Sequence, residues 1–184
     1  MDTFIEQIVQ QKKTALDYLL IGGCWLLAVV LTVICWLFVP PFALFVLCGS
    51  GFVAWWLSTA RNKEYEYCVT NGDVDIDLIT AKRARKRVVS VAGRKIETLL
   101  PYDTAKSTAG YQRVVVAAPS LREAGLWSFT YHSKKNGHTL VVFQPEQRVL
   151  SALYQGLPKL VQMDTDRAAR GMGLDLFARR HYGE

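Results

Sequence analysis

The sequence lacks the patterns that mark metal centres, disulfide scaffolds and common active sites. Its four cysteines and three histidines form no CxxC pair and no histidine cluster, so we predict neither a metal site nor disulfide bonds. Three of the cysteines lie in long apolar runs, as expected of small buried side chains in a reducing compartment. No glycine-rich phosphate loop follows a predicted strand, and no serine lies in a nucleophile elbow. We therefore expect no catalytic residue, no cofactor and no enzymatic activity.

Charged residues are also missing from position 18 to position 60. This stretch consists of two apolar runs, residues 18–38 and 42–60, on either side of Pro40 and Pro41. At about 1.5 Å per residue the first run spans roughly 30 Å, the thickness of the hydrocarbon core of a bilayer. A buried hairpin in a soluble core is the alternative, but the rest of the chain is not apolar enough to surround one. We predict a transmembrane helical hairpin over residues 18–60.

The first run differs from a cleaved signal peptide. It is longer than a signal-peptide core, no small-x-small cleavage site follows it, and the second run comes directly after it. Lysine and arginine flank the two runs at Lys12, Lys13, Arg61 and Lys63, whereas the turn between the runs has no charge. Because positive residues stay on the cytoplasmic side, we predict that both termini are cytoplasmic.

The first 17 residues are predicted to form a separate amphipathic, cytoplasmic segment. Thr3 and Glu6 have the spacing of a capping box at a helix start. Four apolar residues then fall on one face of a helix: Phe4, Ile5, Ile8 and Val9. This pattern favours either a short helix at the lipid headgroups or a cytoplasmic extension of the first span.

From residue 64 onward the apolar period changes to two. Asn71 and Gly72 separate two alternating segments, and this dipeptide is a strong signal for a β-hairpin with a type I′ turn. One face of the hairpin is apolar, with Tyr65, Tyr67, Val69, Val74, Ile76 and Leu78. The other face is acidic and places Glu66 opposite Asp77, which is unfavourable unless cations lie close.

Five further strands are predicted within a cytoplasmic domain that covers residues 64–160. They are placed at residues 88–91, 97–102, 112–118, 126–132 and 138–144. A turn at Asn136 and Gly137 joins the last two strands. In that register Tyr131 lies opposite Val142, and His132 lies opposite Val141 rather than beside His138.

One amphipathic helix is predicted after the last strand. Pro145 occupies its first turn, and Pro158 is expected to end it. Its apolar stripe comprises Val149, Leu150, Leu153, Tyr154 and Leu157. The basic tail, residues 161–184, is interpreted as a short helix or as disordered. We expect residues 64–160, cut free of the hairpin, to fold as a soluble β-rich domain.

Two stretches of the predicted domain resemble bacterial pleckstrin-homology (PH) domains. EYEYCVTNGDVDI, residues 64–76, resembles their first hairpin, and RKRVVSVAGRKIETL, residues 85–99, resembles their third strand, turn and fourth strand. The order of seven strands and one closing helix is similar too. The chain as a whole is similar to a family of small bacterial two-span membrane proteins with a C-terminal PH-like domain.

This resemblance implies a fold and a location but no activity. The implied fold class is a membrane α-helical hairpin plus an α+β soluble domain, in which a PH-like seven-stranded antiparallel barrel is closed by a C-terminal helix. The implied location is the bacterial inner (cytoplasmic) membrane, with a multi-pass topology. The basic first hairpin of phosphoinositide-binding PH domains is absent, because the hairpin here is acidic, so that type of headgroup site is not carried over.

The strongest candidate site is a basic run of five cations in six residues: Lys82, Arg83, Arg85, Lys86 and Arg87. Near an anionic leaflet each cation could contribute about 1 kcal/mol of attraction, which favours contact with anionic lipid headgroups or an acidic partner. The alternative is a solvated turn that offsets the acidic face of the first hairpin. A nucleic-acid site would need aromatic residues between the cations for stacking, so no nucleic-acid partner is expected.

These features together predict a membrane-anchored cytoplasmic PH-like interaction module. Its partners would be the bilayer itself and either anionic lipid headgroups or a membrane or cytoplasmic protein. The competing hypothesis is an accessory subunit of a transporter or envelope enzyme complex, recruited through its transmembrane hairpin.

Overall fold

A computed structural model describes residues 4–103, 110–171 and 173 of the chain, which divides into two compact units. The first, the sheet unit, comprises Met1–Gln11, Glu64–Ile79 and Arg85–Glu184. The second, the helix-pair unit, comprises Lys12–Lys63 and Thr80–Ala84. The helix pair is therefore an insertion into the chain of the sheet unit.

The helix pair consists of α1, Ala15–Phe38, and α2, Ala43–Ala60, joined by a 3-10 turn at Pro40–Phe42. A capping box begins α1, in which the Thr14 backbone N–H donates to Asp17 Oδ2 at 2.9 Å and the Asp17 backbone N–H donates to Thr14 Oγ1 at 3.4 Å. Both helices are long and apolar enough to cross a membrane. The helical hairpin and its proline turn are confirmed, while membrane insertion stays a prediction.

Small residues form the contact between α1 and α2. Ala28 and Ala54 are buried, and the Ser50 hydroxyl lies 3.5 Å from the Ala28 carbonyl oxygen and 2.6 Å from that of Val46. Small side chains allow helices to approach closely where lipid offers no hydrophobic driving force. Most large apolar side chains of both helices point outward and are exposed.

The sheet unit contains two four-stranded sheets among the described residues. The first sheet has the order β1-β2-β3-β4, formed by Phe4–Gln10, Lys63–Thr70, Asp73–Thr80 and Ala84–Val91. The second sheet has the order β5-β7-β8-β6, where β5 is Ile96–Pro101, β6 is Arg113–Ala117, β7 is Trp127–Ser133 and β8 is Gly137–Phe143. The prediction of one closed seven-stranded antiparallel barrel is wrong: there are two sheets, and β6 runs parallel to β8.

The N-terminal segment is a strand, and the prediction of an amphipathic helix there is wrong. β1 pairs antiparallel with β2, from Phe4 opposite Thr70 to Gln10 opposite Glu64. The apolar residues of this segment do not alternate in sequence, so its strand conformation comes from pairing with β2, which buries Gln7 and Val9 on one face. Thr3 of the predicted capping box lies outside the described residues.

The side chain of Gln7 fixes β1 to the start of the C-terminal helices. It is buried, donates to the carbonyl of Gln144 at 3.0 Å and accepts from the backbone N–H of Glu146 at 2.8 Å. Tyr67 on β2 reaches the second sheet, because its hydroxyl donates to the Ala117 carbonyl and accepts from the Gln144 backbone N–H at 3.4 Å. Burial raises the pKa of Tyr67 well above its usual value, so the hydroxyl stays protonated as the donor.

The turn between β2 and β3 has the predicted residues and geometry. Asn71 and Gly72 both have positive φ, 51° and 85°, as a type I′ turn requires. The turn packs against the end of the helix at Gln147–Gln155. The approach is so close that a Cβ on Gly72 would lie 2.3 Å from Gly156 Cα. A Cβ on Gly93 would lie equally close to the carbonyl oxygen of Gly72. Five predicted core residues of this hairpin are buried, namely Tyr65, Tyr67, Val69, Val74 and Ile76.

The register predicted for the last hairpin is wrong. The loop between β7 and β8 has three residues instead of two, and the positive φ of 65° falls on Gly137. Tyr131 therefore lies opposite Thr139, and His132 lies directly opposite His138. A three-residue loop followed by a left-handed glycine is a common alternative to the two-residue turn.

Two helices follow the strands, α3 at Gln147–Gln155 and α4 at Lys159–Gly171. All five residues of the predicted apolar stripe are buried, but α3 ends at Gln155, three residues before Pro158, so Leu157 lies beyond the helix. Pro145 lies just before this helix, whose N-cap is Glu146, rather than inside it. The interpretation of the tail changes, because α4 packs on the second sheet through Thr165, whose hydroxyl donates to the Leu99 carbonyl at 2.9 Å. The tail at 172 and 174–184 lies outside the described residues.

A hydrogen bond joins α3 to α4. The Tyr154 hydroxyl donates to Asp166 Oδ2 at 2.7 Å. Burial, together with this bond, raises the pKa of Tyr154 to about 12, so the tyrosine remains the donor through the physiological range.

Candidate functional site

The basic run is not a single turn. Only Lys82 and Arg83 lie in the turn between β3 and β4, where Ala81 and Lys82 have positive φ of 54° and 56°. Strand β4 begins at Ala84, so the other three cations belong to the strand rather than to the predicted turn. Side chains on a strand alternate between faces, which separates Lys86 from Arg85 and Arg87.

Arg85 and Arg87 neutralise the acidic face of the first sheet. Arg85 contacts Glu66 and places its Nε 2.9 Å from Asp77 Oδ2. Arg87 places its Nε 2.9 Å from Asp77 Oδ1 and its Nη1 3.0 Å from Asp75 Oδ2. Glu66 and Asp77 are only 6% and 7% exposed, and buried carboxylates require such partners.

These contacts give two cations of the run a structural role. The hydrogen bond to Asp77, helped by the charge of Asp75, raises the pKa of Arg87 further above its ordinary value. The alternative prediction, in which cations offset the acidic hairpin face, describes Arg85 and Arg87. Lys86 is exposed.

Arg83 belongs to the helix-pair unit. Its Nη2 donates to Thr59 Oγ1 at 2.8 Å, and its guanidinium carbon lies 6.0 Å and 5.9 Å from the ring centroids of Trp55 and Trp56. These distances are at the outer limit of cation–π attraction. The turn that carries Arg83 is fixed by the Ala81 backbone N–H, which donates to the Asn62 carbonyl at 2.7 Å.

All formal charges of the helix-pair unit lie at one end, which we name the charged end. It has six cations, Lys12, Lys13, Arg61, Lys63, Lys82 and Arg83, and one carboxylate, Asp17. Arg61 Nη1 lies 3.6 Å from Asp17 Oδ1. The opposite end, at the Pro40–Phe42 turn, has no charged residue.

A groove of about 290 Å³ lies at the charged end between α1 and α2. Its walls are mainly apolar, formed by Leu20, Ile21 and Cys24 of α1 and by Leu57 of α2. Arg61 and Lys63 line its polar end. The sequence alone does not predict this groove, although the cations that flank the two apolar runs mark the end where it lies.

Among the described residues, one group of three potential metal ligands lies close together: Glu6, Glu66 and Cys68. Arg85 contacts the Glu66 carboxylate, and a cation at that position competes with a metal ion. Burial raises the pKa of the Cys68 thiol, which disfavours the thiolate that a metal requires. We assign no metal to this group.

Within residues 4–103, 110–171 and 173, the two histidines of the last hairpin belong to no group of three potential metal ligands. His138 Nε2 lies 3.0 Å from Glu97 Oε2, and the His138 ring contacts the Tyr111 ring at a centroid distance of 4.9 Å. His132, opposite His138, is exposed. This side chain set offers fewer convergent ligands than a structural metal site needs.

Comparison with known protein families gives a match that covers most of the chain. A family model described as "Bacterial PH-like domain (DUF6106)" matches residues 1–163. The matched range includes β1, both apolar helices, the two sheets and α3. Comparisons with curated proteins and with solved structures found no match.

Proposed function

Since the chain belongs to the bacterial PH-like domain family DUF6106, we propose that it is a membrane-anchored PH-like interaction module. The helix pair crosses the bacterial inner membrane twice and holds the sheet unit in the cytoplasm. The module has no catalytic role and binds a protein partner or anionic lipid. The observation that carries this proposal is the pairing of β1 with β2 across the inserted helix pair.

Strand pairing supports a double crossing of the membrane. β1 ends at Gln10 and β2 begins at Lys63, and the chain between them contains both apolar helices. Two strands of one sheet lie on the same side of a bilayer, so the intervening chain crosses it an even number of times. A cleaved signal sequence is disfavoured for the same reason, because cleavage after α1 would remove β1 from its sheet.

The outer surface of the helix pair supports a lipid environment. Large apolar side chains are exposed along both helices, including Leu26, Phe38 and Phe45. Exposed apolar area on this scale is uncommon in soluble monomers and marks a surface that lipid or another protein covers. Both helices close their own backbone hydrogen bonds, as a membrane interior demands.

The charge distribution supports the orientation. Cations concentrate at the charged end, whereas the Pro40–Phe42 turn carries none. Positive residues beside a span are retained in the cytoplasm. In sequence, β1 ends at Gln10, two residues before Lys12, and β2 begins at Lys63, so a cytoplasmic location follows for the strands as well.

A reporter experiment tests anchoring and topology together. We expect the full chain to remain in the membrane fraction after high-salt washing. A reporter active only in the cytoplasm should be active when fused after residue 171 or before residue 1. Activity of a periplasmic reporter at either position, or release of the chain by salt, would contradict the proposal.

A second experiment separates the interaction module from the accessory-subunit alternative. Residues 15–60 are replaced by an unrelated two-span hairpin of the same length, and partners are recovered in mild detergent. A partner that survives the replacement binds the sheet unit, as the proposal requires. Loss of every partner, with the chain still in the membrane, favours recruitment through the native helix pair.

A further inference from the structure

We propose that the groove at the charged end of the helix pair binds an anionic phospholipid. The phosphate would lie at Arg61 and Lys63, and the first part of an acyl chain would lie between α1 and α2. The inference rests on the proposed function, because it requires the helix pair to be in a bilayer.

The groove has the polarity gradient of a phospholipid. Leu20, Ile21 and Cys24 of α1 and Leu57 of α2 supply apolar walls, and the two cations lie at the other end. Its volume of about 290 Å³ is at the lower limit of small-molecule sites, which suits one segment of a chain rather than a whole lipid. None of the described residues that line it is acidic.

The depth of the groove in a bilayer agrees with this assignment. Leu20 lies about 8 Å and Cys24 about 14 Å along α1 from its start at Ala15, from the helical rise of about 1.5 Å per residue. The walls therefore extend from the headgroup level into the upper acyl region. Trp55 and Trp56, close to the end of α2, belong at the same interface.

The cations retain donors for a phosphate. Arg61 is paired with Asp17 at 3.6 Å, a long contact that uses a small part of a guanidinium with five N–H donors. Its side chain is 45% exposed. Lys63 adds a second positive charge at the groove, and the nearby Asp17 is the opposing charge that a phosphate must outcompete.

A phospholipid fits both halves of the groove better than the other occupants do. Inorganic phosphate would use the two cations and leave the apolar walls uncovered. A helix from a partner protein would need an acidic side chain at headgroup depth in addition to an apolar face. A lipid with an anionic headgroup supplies the charge and the apolar chain in one molecule.

Native mass spectrometry of the full chain in neutral detergent tests the site. Phosphatidylglycerol, which is anionic, and phosphatidylcholine, which is zwitterionic, are added at equal concentration. We expect at least tenfold more bound phosphatidylglycerol. The double variant Arg61→Gln/Lys63→Gln should bind it about thirtyfold less tightly, from about 1 kcal/mol per cation.

A matched variant controls for overall charge. Lys12→Gln/Lys13→Gln removes the same number of cations from the same end of the helix pair, but neither residue lines the groove. We expect its affinity for phosphatidylglycerol to fall by less than threefold. Equal losses in the two double variants would overturn the site in favour of a diffuse surface charge.

Two single substitutions separate binding from loss of folding. Asp17→Asn removes the carboxylate that competes with the phosphate, so phosphatidylglycerol should bind several-fold more tightly, a gain that misfolding cannot produce. Cys24→Phe fills the groove without changing charge and should reduce binding at least tenfold. If either variant binds phosphatidylglycerol with the same affinity as the parent chain, the inference is overturned.

The remaining outcomes distinguish the two proposals. If the chain is absent from the membrane fraction, both the anchoring and the lipid site fail. If it is embedded but binds both lipids equally, or if a co-purified polypeptide covers the groove instead, the lipid site alone fails.

Discussion

Charged side chains that are neighbours in sequence contact different parts of this protein. Arg85 and Arg87 face buried carboxylates on the first sheet, whereas Arg83 contacts Thr59 and two tryptophans of the helix pair. Lys82 lies in the turn beside Arg83. Arg85 and Arg87 therefore stabilise the sheet unit, whereas Lys82 and Arg83 belong to the charged end.

Replacing Arg85 is expected to lower the free energy of unfolding. Arg85→Met leaves Glu66 and Asp77 with one cation fewer in a position where both are buried. Removing one member of such a network costs more than the pair contributes, here about 2–3 kcal/mol of unfolding free energy. Thermal unfolding of the full chain in detergent, followed by circular dichroism of the β-structure, measures the loss.

Lys86 is the control for that measurement. It is the next residue on the same strand, and it is exposed. Lys86→Met removes the same charge and should change the unfolding free energy by less than about 0.5 kcal/mol. Similar effects of the two substitutions would show that the Arg85 network is not a source of stability.

Three secondary-structure elements approach one another closely at glycines. The β2–β3 turn, the 3-10 segment Gly93–Lys95 and the end of α3 approach one another at Gly72, Gly93 and Gly156. Asp73 strengthens this junction, because its Oδ1 accepts a hydrogen bond from the Gly93 backbone at 3.0 Å. α3 can pack against the turn only because none of these positions has a Cβ.

Gly156→Ala tests this junction without the complication of an unusual backbone angle. Gly156 has φ of −89°, which any residue adopts, but its Cβ would lie 2.5 Å from Gly72 Cα. Backbone must move to relieve that overlap, and we expect a loss of about 1–3 kcal/mol in unfolding free energy. Gly171→Ala, in open space at the end of α4, should be neutral or slightly stabilising. Unfolding midpoints of the two variants that agree would contradict the close approach.

The sequence predicted those elements whose conformation depends on neighbouring residues in the chain. Asn71-Gly72 specifies its own turn, and the stripe on α3 specifies its own buried face. β1 could not be predicted, because the strand that selects its conformation lies about 50 residues further along the chain. The β7–β8 register was ambiguous for a different reason: the sequence Lys134-Lys135-Asn136-Gly137 fits a two-residue or a three-residue loop.

The candidate site was predictable in composition and not in arrangement. The cations and the need to neutralise Glu66 and Asp77 follow from the sequence. Which arginine does so depends on where β4 begins, and this is decided by its pairing with β3. The groove depends on how α1 and α2 pack. That packing is determined jointly by small residues on both helices, Ala28, Ser50 and Ala54.

The domain as a whole is discontinuous in sequence, and this changes how it is best isolated. Residues 64–160 lack β1 and all but the first two residues of α4. A chain in which residues 1–11 are joined to residues 63–171 by a short glycine-serine linker restores both, because Gln10 and Glu64 are paired neighbours. We expect this chain to be soluble and to melt cooperatively at a higher temperature than residues 64–160.

Circular dichroism melts of the two chains check this expectation. Gln7→Leu in the linked chain is a useful companion, because it removes the two bonds to residues 144 and 146 and should cancel much of the gain. Equal melting temperatures with and without β1 would mean that the strand contributes nothing to the isolated domain.

The position of the helix pair between β1 and β2 also sets the order of events during synthesis. The ribosome adds about 5–20 residues per second, so β1 emerges roughly 3–12 s before β2 is complete. During that interval β1, with apolar residues on both faces, has no strand to pair with and is open to chaperones and proteases. β1 thus stays unpaired until both apolar helices and β2 have been synthesised, although it lies ahead of all three in the chain.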